Sequence, residues 1–345
     1  MQYNNYQPLV SIVMPLYKQE QFMARAIACV LAQSFTEWEL IIIDDASPGK
    51  KSTAVHSYLQ DPRIRYFKHS VNRGLGASLN AGIERASAPY IAYLPCDDVV
   101  YKDHIATLYD ALINDKTAVL AFTSIKHHYT KIAEGVVNNE WLQLVQVMHK
   151  KTQDRWTERR ELESDDLNRL FWNKLKGEKK YVAALTCEWT DHPDQRYKIM
   201  REPIGGINTF RSWYNVQEPL IFHTTMGNYI NEADKYRYFR TEKIIRSANE
   251  EGLKILLVGE LAYNADRILA LEERGHTLYG LWMKKPYWFN YVGPLPFGHI
   301  TDITGPDWKE QIKRIQPDII YALLNWQAIP TAHKVLMAGL DIPFV

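Results

Sequence analysis

Short apolar runs alternate with amphipathic stretches along the first hundred residues, and that rhythm predicts strand and helix in turn. Val10 to Met14 is a strand-sized apolar run stopped by Pro15, and Phe22, Met23, Ala26, Ile27, Val30 and Leu31 then recur at helical spacing within Glu20 to Gln33. Leu40 to Ile43 is apolar on consecutive positions, as a strand buried on both faces should be, and it runs into the turn-forming residues Asp44, Asp45, Ala46, Ser47, Pro48 and Gly49. Arg63 to Lys68 predicts a third strand, Leu75, Leu79, Ile83 and Ala86 the next helix, and Tyr90 to Leu94 the next strand. Alternation of this kind argues for the α/β class with a parallel sheet.

From Trp141 to about Tyr238 the texture changes to fewer apolar runs, many charges and five of the ten tryptophans: Trp141, Trp156, Trp172, Trp189 and Trp213. This stretch reads as the α+β completion of the first domain. Asn231 to Asn249 is polar and charged and serves as a connector. At Lys254 the rhythm resumes with strands at Ile255 to Val258, Leu278 to Trp282, Ile319 to Leu324 and Ile342 to Val345, and helices over Ala265 to Arg274, Trp308 to Ile315 and Ile329 to Ala338. The expected division is a first domain over 1–240, with parts 1–130 and 131–240, a connector over 241–253, and an incomplete Rossmann-like domain over 254–345. Stopping on an uncovered parallel strand reads as a cut inside a longer doubly wound fold.

At 345 residues the chain fits about two domains of ~150 residues each, and 46% hydrophobic residues suffice for packed cores. Lys and Arg total 41 against 40 for Asp and Glu, a balance of +1 that excludes a global attraction for nucleic acid or an anionic membrane and leaves room only for local, peripheral association. The apolar runs are far below the ~18 residues of a membrane span. Met1 to Leu9 shows no signal-peptide pattern, and Cys29, Cys96 and Cys187 are too scattered for a disulfide framework, so a cytoplasmic location is expected.

Five clusters carry candidate chemistry. Asp44 and Asp45 end a buried strand at the sheet edge where ligands bind in open α/β folds, and Pro15 to Tyr17 lie at the same edge. A carboxylate there can accept a base N–H or a ribose hydroxyl, or simply close a turn. Asn72 to Gly82 places Arg73, Gly74 and Gly76 before a helix, which suits a diphosphate or a tight turn, with Gly82 allowing close helix packing. Asp97 and Asp98 are adjacent carboxylates whose repulsion a divalent cation would relieve, or they cap a helix toward Ile105. Glu163-Ser164-Asp165-Asp166 precedes Leu167, Leu170, Phe171 and Leu175 at helical spacing, so Ser164 suits an N-cap with both aspartates in the first turn. Cys187 to Gln195 contains Asp191 and His192, the latter a neutral imidazole ligand or a surface-turn residue before Pro193.

In this order and spacing, Pro15-Leu16-Tyr17, Ile43-Asp44-Asp45-Ala46-Ser47, Asn72-Arg73-Gly74 with Asn80-Ala81-Gly82, and Leu94-Pro95-Cys96-Asp97-Asp98 resemble glycosyltransferase family two. The resemblance is strong over about residues 8 to 130 and thinner to 240. It implies a GT-A fold, with a mostly parallel central sheet between helices. It also implies a nucleotide-diphosphate sugar donor and a hexosyltransferase-like transfer that inverts the anomeric carbon. Carried onto this chain, it implies that Pro15, Tyr17, Asp44, Asp45, Arg73, Asn80 and Asp97 hold the nucleotide, and that Asp97, Asp98 and His192 hold a divalent cation, Mn²⁺ or Mg²⁺. The chain departs from the family at Pro95, where the first carboxylate of Asp-x-Asp usually stands, so Asp97 is the principal ligand expected.

Asp165-Asp166-Leu167 resembles the family's base motif, which implies Asp166 as the base, with Asp165 competing and Asp191 a further candidate. The implied acceptor is a saccharide or lipid-linked saccharide in cell-surface glycan synthesis. The middle tryptophans offer flat faces to a sugar ring, although half or more are expected in the core.

The segment from Lys254 resembles the beginning of a GT-B glycosyltransferase of the family-four kind, on Lys254-Ile255-Leu256-Leu257-Val258-Gly259 and the βα order, without a G-x-G-x-x-G fingerprint. Two rivals to the transferase reading are a catalytically weak nucleotide-sugar-binding scaffold, favoured by Pro95, and a sugar-phosphate nucleotidyltransferase, disfavoured because Leu16-Tyr17-Lys18-Gln19 lacks that class's glycines. Oligomeric state is not encoded in any of these signals.

Overall fold

The computed structural model describes residues 6–48, 57–127, 131–133, 142–201, 206–235, 252–259, 265–282, 299–302, 305–323 and 328–345. The chain divides into two compact units, one of Met1–Val216 with Ile221–Tyr229, the other of Gln217–Leu220 with Ile230–Val345. The expected connector at 241–253 lies outside the described residues except for Gly252 and Leu253, as does Trp141.

The first unit opens with β1 (Val10–Leu16), α1 (Glu20–Leu31), β2 (Trp38–Asp44), β3 (Ile64–Lys68), α2 (Leu75–Arg85) and β4 (Tyr90–Tyr93). It continues through β5 (Val99–Val100), α3 (His104–Asn114), β6 (Ala118–His127), β7 (Lys131–Ala133), β8 (Val147–Lys150), β9 (Glu163–Ser164) and α4 (Leu167–Trp172). β10 (Glu178–Trp189), α5 (Arg196–Met200), α6 (Ile207–Tyr214) and β11 (Ile221–His223) follow. Nine of these strands form one sheet in the order β3-β2-β1-β4-β8-β6-β10-β5, with β7 added on β6. Pairing is parallel across β3, β2, β1 and β4 and again between β6 and β10, while β8 runs antiparallel between β4 and β6.

Every residue of β1 and β2 is buried, which accounts for the apolar runs Ile12–Met14 and Leu40–Ile43 within them. Successive side chains serve opposite faces. Ile12, Met14, Leu40 and Ile42 pack with Met23, Ile27 and Leu108 of α1 and α3, whereas Val13, Ile41 and Ile43 pack with Leu79 and Ile83 of α2 and with Trp156, Phe171 and Trp172. Two cores therefore sandwich the sheet. A Cβ at Gly82 would stand 2.3 Å from Val13 Cγ1, so this glycine sets the approach of α2 to β1.

β1 does not stop at Pro15, as its sequence suggests, but runs to Leu16. The carbonyl of Val13 accepts the Leu94 N–H at 3.0 Å, so the nitrogen of Pro15, two residues on, faces the same way, beyond the end of β4. No ladder donor is lost there.

Beyond β12 (Tyr229–Asn231) and the turn α7 (Glu232–Lys235), the second unit contains β13 (Lys254–Gly259), α8 (Ala265–Glu273), β14 (Thr277–Trp282), β15 (His299–Asp302), α9 (Trp308–Ile315), β16 (Ile319–Leu323) and α10 (Ala328–Leu336). Four strands form a parallel sheet in the order β15-β14-β13-β16, the Rossmann-like pattern expected. Its core holds Leu256, Val258, Leu281, Trp308, Ile312, Ile320 and Val335. Ile342 to Val345 lies beside β16, with the Val345 N–H donating to Ile320 at 2.8 Å and Ala322 N–H to Val345 at 2.7 Å. β15 escaped the sequence reading because only one of its four residues is aliphatic. Among the described residues no helix is long and apolar enough to cross a membrane.

Candidate active site

A cleft opens at the carboxyl ends of β1, β2 and β4, where the parallel strands hand over to loops. Pro15, Tyr17, Asp45, Asp97, Asp98 and Asp165 line it among the residues singled out from sequence; Asp44, Arg73, Asn80, Asp166 and His192 do not.

The two aspartates after β2 divide their work. Asp44 closes the turn: it accepts the Ser47 N–H at 2.7 Å and the Tyr66 hydroxyl, and Lys68 Nζ lies 3.3 Å away. Asp45 faces the cleft, and its oxygens take the N–H groups of Arg73 and Gly74 at 2.8 and 2.7 Å, with His69 Nδ1 2.8 Å away. Burial, followed by the nearby Asp45 charge, raises the Tyr17 hydroxyl above its ordinary range.

The backbone donors that sequence offered to a diphosphate are thus already bound by Asp45, and the Arg73 side chain is exposed. Asn80 is buried against Trp156 and Glu158, accepting the Trp156 N–H at 2.8 Å and donating to the Trp156 carbonyl at 3.0 Å. Gly76 makes that contact feasible, since a Cβ there would meet the Thr157 carbonyl oxygen at 2.0 Å. The glycine cluster therefore packs α2 against the 156–159 segment, and that segment delivers Arg159 to the cleft.

Arg159 donates to Asn72 Oδ1 at 2.6 Å and to Glu163 Oε2 at 3.1 Å, while Arg196 donates to the other oxygen of Glu163 and to the Ser164 carbonyl at 2.5 Å. All three side chains line the cleft. Two cations share one carboxylate, which leaves local positive charge for an anion. Sequence reading passed over Arg159 and Arg196, and named Glu163 only as the first residue of a helix-start cluster, because their long spacing in a charged stretch looks like a solvated surface.

Asp97 Oδ2 accepts from Gln19 Nε2 at 2.9 Å and lies 2.9 Å from His192 Nε2. Arg25 braces the same loop through the Asp97 carbonyl at 2.5 Å and Thr190 Oγ1 at 3.1 Å. His192 Nδ1 is buried without a hydrogen-bond partner. Asp98 turns elsewhere. Its Oδ1 accepts the Thr190 N–H at 3.1 Å, and burial, with the adjacent Asp97 charge, drives its carboxyl well above the usual carboxylate range. Neither aspartate caps a helix toward Ile105, because β5 intervenes and α3 starts at His104. Among the described residues no group of three or more His, Cys, Asp or Glu converges as a metal site.

The expected N-cap at Ser164 is displaced. Ser164 belongs to β9, which pairs with β11, and α4 begins only at Leu167 with Asp166 as its N-cap residue. The aspartates therefore lie before the first turn. Asp165 is held by Arg201 Nε at 2.5 Å and by Thr225 N–H and Oγ1 at 2.9 and 3.0 Å. Asp166 accepts from Arg169 Nε at 2.5 Å.

Asp191 is exposed and paired with Lys198 Nζ at 2.5 Å, outside the cleft lining. Asp194 lines the cleft, and among the described residues it has no hydrogen-bond or ion-pair partner. Aromatic rings complete the wall. Tyr17 stacks on Tyr214 with centroids 5.2 Å apart, and both the Tyr17 hydroxyl and Lys18 Nζ donate to the Trp213 carbonyl, at 3.2 and 2.7 Å. Trp156 and Trp172 are core residues, whereas Trp189 and Trp213 line the cleft.

The model of "Glycosyl transferase family 2" matches residues 11–160. An "Uncharacterized glycosyltransferase" of Haemophilus influenzae is 29% identical over 144 residues, covering 40% of this chain and 58% of that protein. One of Rickettsia felis is 42% identical over 96 residues, 28% of this chain and 16% of its own length. The crystal structure of S. aureus TarS in complex with UDP-GlcNAc aligns with a TM-score of 0.47 at 16% identity, covering 54% of this chain and 59% of that one. The chain spans less than two thirds of the length of these relatives. Residues 11–160 thus form a domain of glycosyl transferase family 2.

Proposed function

We propose that this chain moves a sugar from a nucleotide-diphosphate donor to a hydroxyl of a saccharide acceptor, with inversion at the anomeric carbon. The observation that carries the reading is one cleft in which Asp45, Asp97 and Arg159, within the residues matched by the family 2 model, and Arg196, beyond them, converge at the carboxyl ends of the parallel strands. Tyr17 and Asp45 supply the nucleoside end with an aromatic face and a carboxylate. Arg159 and Arg196, fixed by Glu163, neutralise charge on the departing diphosphate through preset donors. Aromatic faces at Trp189, Trp213 and Tyr214 suit a saccharide.

Asp97 and His192 fit a divalent cation. Their oxygen and nitrogen are already within 3 Å, with Nε2 the nitrogen that faces Asp97, and the buried Nδ1 makes no hydrogen bond that would hold the ring in another role. Two protein ligands suit Mg²⁺ or Mn²⁺ sites that are completed by phosphate oxygens and water. When bound, the ion would supply Lewis-acid stabilisation to the leaving diphosphate. Asp98, occupied by Thr190, does not join this pair.

The test is a nucleotide-sugar screen. UDP- and GDP-linked hexoses are added with Mn²⁺, and the expected result is a raised melting temperature with one donor class, because ligand binding to the native state stabilises it by mass action. Product NMR with the stabilising donor should then show the inverted anomer. A screen in which no nucleotide sugar stabilises the chain or turns over would overturn the proposal.

A further inference from the structure

We propose that His69 is a positioning residue for nucleotide binding, holding the Asp45 carboxylate so that one acceptor position of that group is presented to the nucleoside; the inference rests on the transfer reading above. β2 lies parallel on β3 with Asp44 opposite Lys68, so the next residues, Asp45 and His69, emerge side by side at the carboxyl edge of the sheet. The His69 N–H extends the ladder by donating to the Asp44 carbonyl at 2.8 Å. Its ring does not line the cleft. It reaches Asp45 instead, with Nδ1 2.8 Å from Oδ1.

A carboxylate only accepts, so Nδ1 is the nitrogen that carries the proton. Three donors then share Asp45: His69 and the Arg73 N–H on Oδ1, at 2.8 Å each, and the Gly74 N–H on Oδ2 at 2.7 Å. A carboxylate offers about four acceptor positions in all, and the one left over belongs to Oδ2. Because Asp45 lines the cleft, that position is the one a nucleoside N–H or hydroxyl can use. Without His69 the carboxylate would keep donors on one edge only, and its rotation about the side-chain bond would be less restrained.

The backbone of Asp45 is fixed as firmly. Its N–H donates to the Leu16 carbonyl at 2.8 Å and its carbonyl accepts from Asn72 Nδ2 at 3.0 Å, while Ala46 beside it adopts the left-handed region at φ 64°, which a side chain disfavours. His69 Nε2 is buried and, among the described residues, has no hydrogen-bond partner. Burying an unpaired ring nitrogen is unfavourable, and an apolar ring could fill the space without it. Fold stability therefore does not account for a histidine here, whereas its hydrogen bond to Asp45 does.

Calorimetric titration of the full chain with UDP and GDP tests the assignment in His69→Phe and His69→Ala, which remove the donor, and in His69→Asn, whose amide can donate in place of Nδ1. For the nucleotide that wild type binds, Kd should rise about tenfold in the Phe and Ala variants and stay within about threefold in His69→Asn. At saturating UDP-glucose, UDP-N-acetylglucosamine or GDP-mannose, kcat for nucleotide release should stay within about threefold of wild type in all three, because His69 acts on binding through Asp45. In an Asp45→Ala background, His69→Phe should change Kd by less than about twofold. A Kd within about twofold of wild type in both donor-free variants overturns the assignment. So does a His69→Asn as weak as they are, which would make ring packing responsible, and so does an undiminished effect of His69→Phe without the Asp45 side chain. A wild-type chain that binds neither nucleotide and releases none from any donor is a different failure: it overturns the transfer reading itself, and this inference with it.

Discussion

Asp97 and His192 stand 95 positions apart in the chain, yet Asp97 Oδ2 lies 2.9 Å from His192 Nε2. The contact brings the loop after β4 and the loop after β10 to one point of the cleft. Nucleoside diphosphate binding should therefore strengthen with Mn²⁺ or Mg²⁺, Asp97→Ala should abolish that enhancement, and His192→Ala should reduce it. Calorimetric titration of UDP and GDP with and without Mn²⁺ reads all three. An undiminished metal effect in Asp97→Ala would move the ion elsewhere.

Glu163 is 1% exposed between Arg159 and Arg196, at 3% and 19%. Removing its charge leaves a buried guanidinium unpaired, so Glu163→Gln should destabilise the first unit by about 3–5 kcal/mol. Adding Arg159→Met should restore part of the loss. Urea denaturation of the three forms measures both effects, and equal midpoints would show the triad to be energetically idle.

Gly76→Ala should also destabilise, because its Cβ would enter the space of the Thr157 carbonyl oxygen at 2.0 Å, a backbone atom that cannot turn aside. Overpacking of this kind costs about 1–3 kcal/mol. The shift should pull the 156–159 segment outward and weaken UDP binding through Arg159. A variant as stable and as tight-binding as wild type would contradict the close approach.

Acid should weaken the fold through two histidines. Burial lowers His104 to about 3 and His149 to about 4, from an ordinary value of 6.5, so both are neutral in the folded chain. As pH falls below 6.5 the unfolded chain binds protons that the folded chain refuses, and stability declines until the folded values are reached. Between pH 7 and 5 each histidine should remove on the order of 2 kcal/mol. His104→Gln and His149→Gln should each lower stability at pH 7 but flatten its decline with acid. Denaturation midpoints at the two pH values test this; a slope unchanged in both variants would assign the acid sensitivity to other groups.

The sheet was legible because β1 and β2 are buried on both faces and so announce themselves through apolar residues at consecutive positions, Ile12 to Met14 and Leu40 to Ile43. The cleft edge was legible for the same reason, since strand ends fix where Pro15, Asp45 and Asp97 emerge. The division of labour between neighbours was not. Asp44 against Asp45, Asp97 against Asp98 and Asp165 against Asp166 differ only in which way each side chain turns, and that is decided by partners far along the chain, such as Tyr66, Thr190 and Arg201. Ser164 shows the same limit: its spacing fits a helix cap, but pairing of β9 with β11 claims it for a sheet.

Lys18 occupies the left-handed backbone region at φ 53°, its N–H donating to Ser47 Oγ at 3.1 Å and its ammonium to the Trp213 carbonyl. A non-glycine residue pays about 1–2 kcal/mol to sit there. That carbonyl also holds the Tyr17 hydroxyl, so a single oxygen keeps two consecutive residues in place. Displacing the end of α6 would release both side chains together, while the Lys18 backbone would stay held by Ser47 Oγ. One edge of the cleft thus hangs its two side chains on a single peg, so a change that moves the Trp213 carbonyl reaches Tyr17 and Lys18 at once.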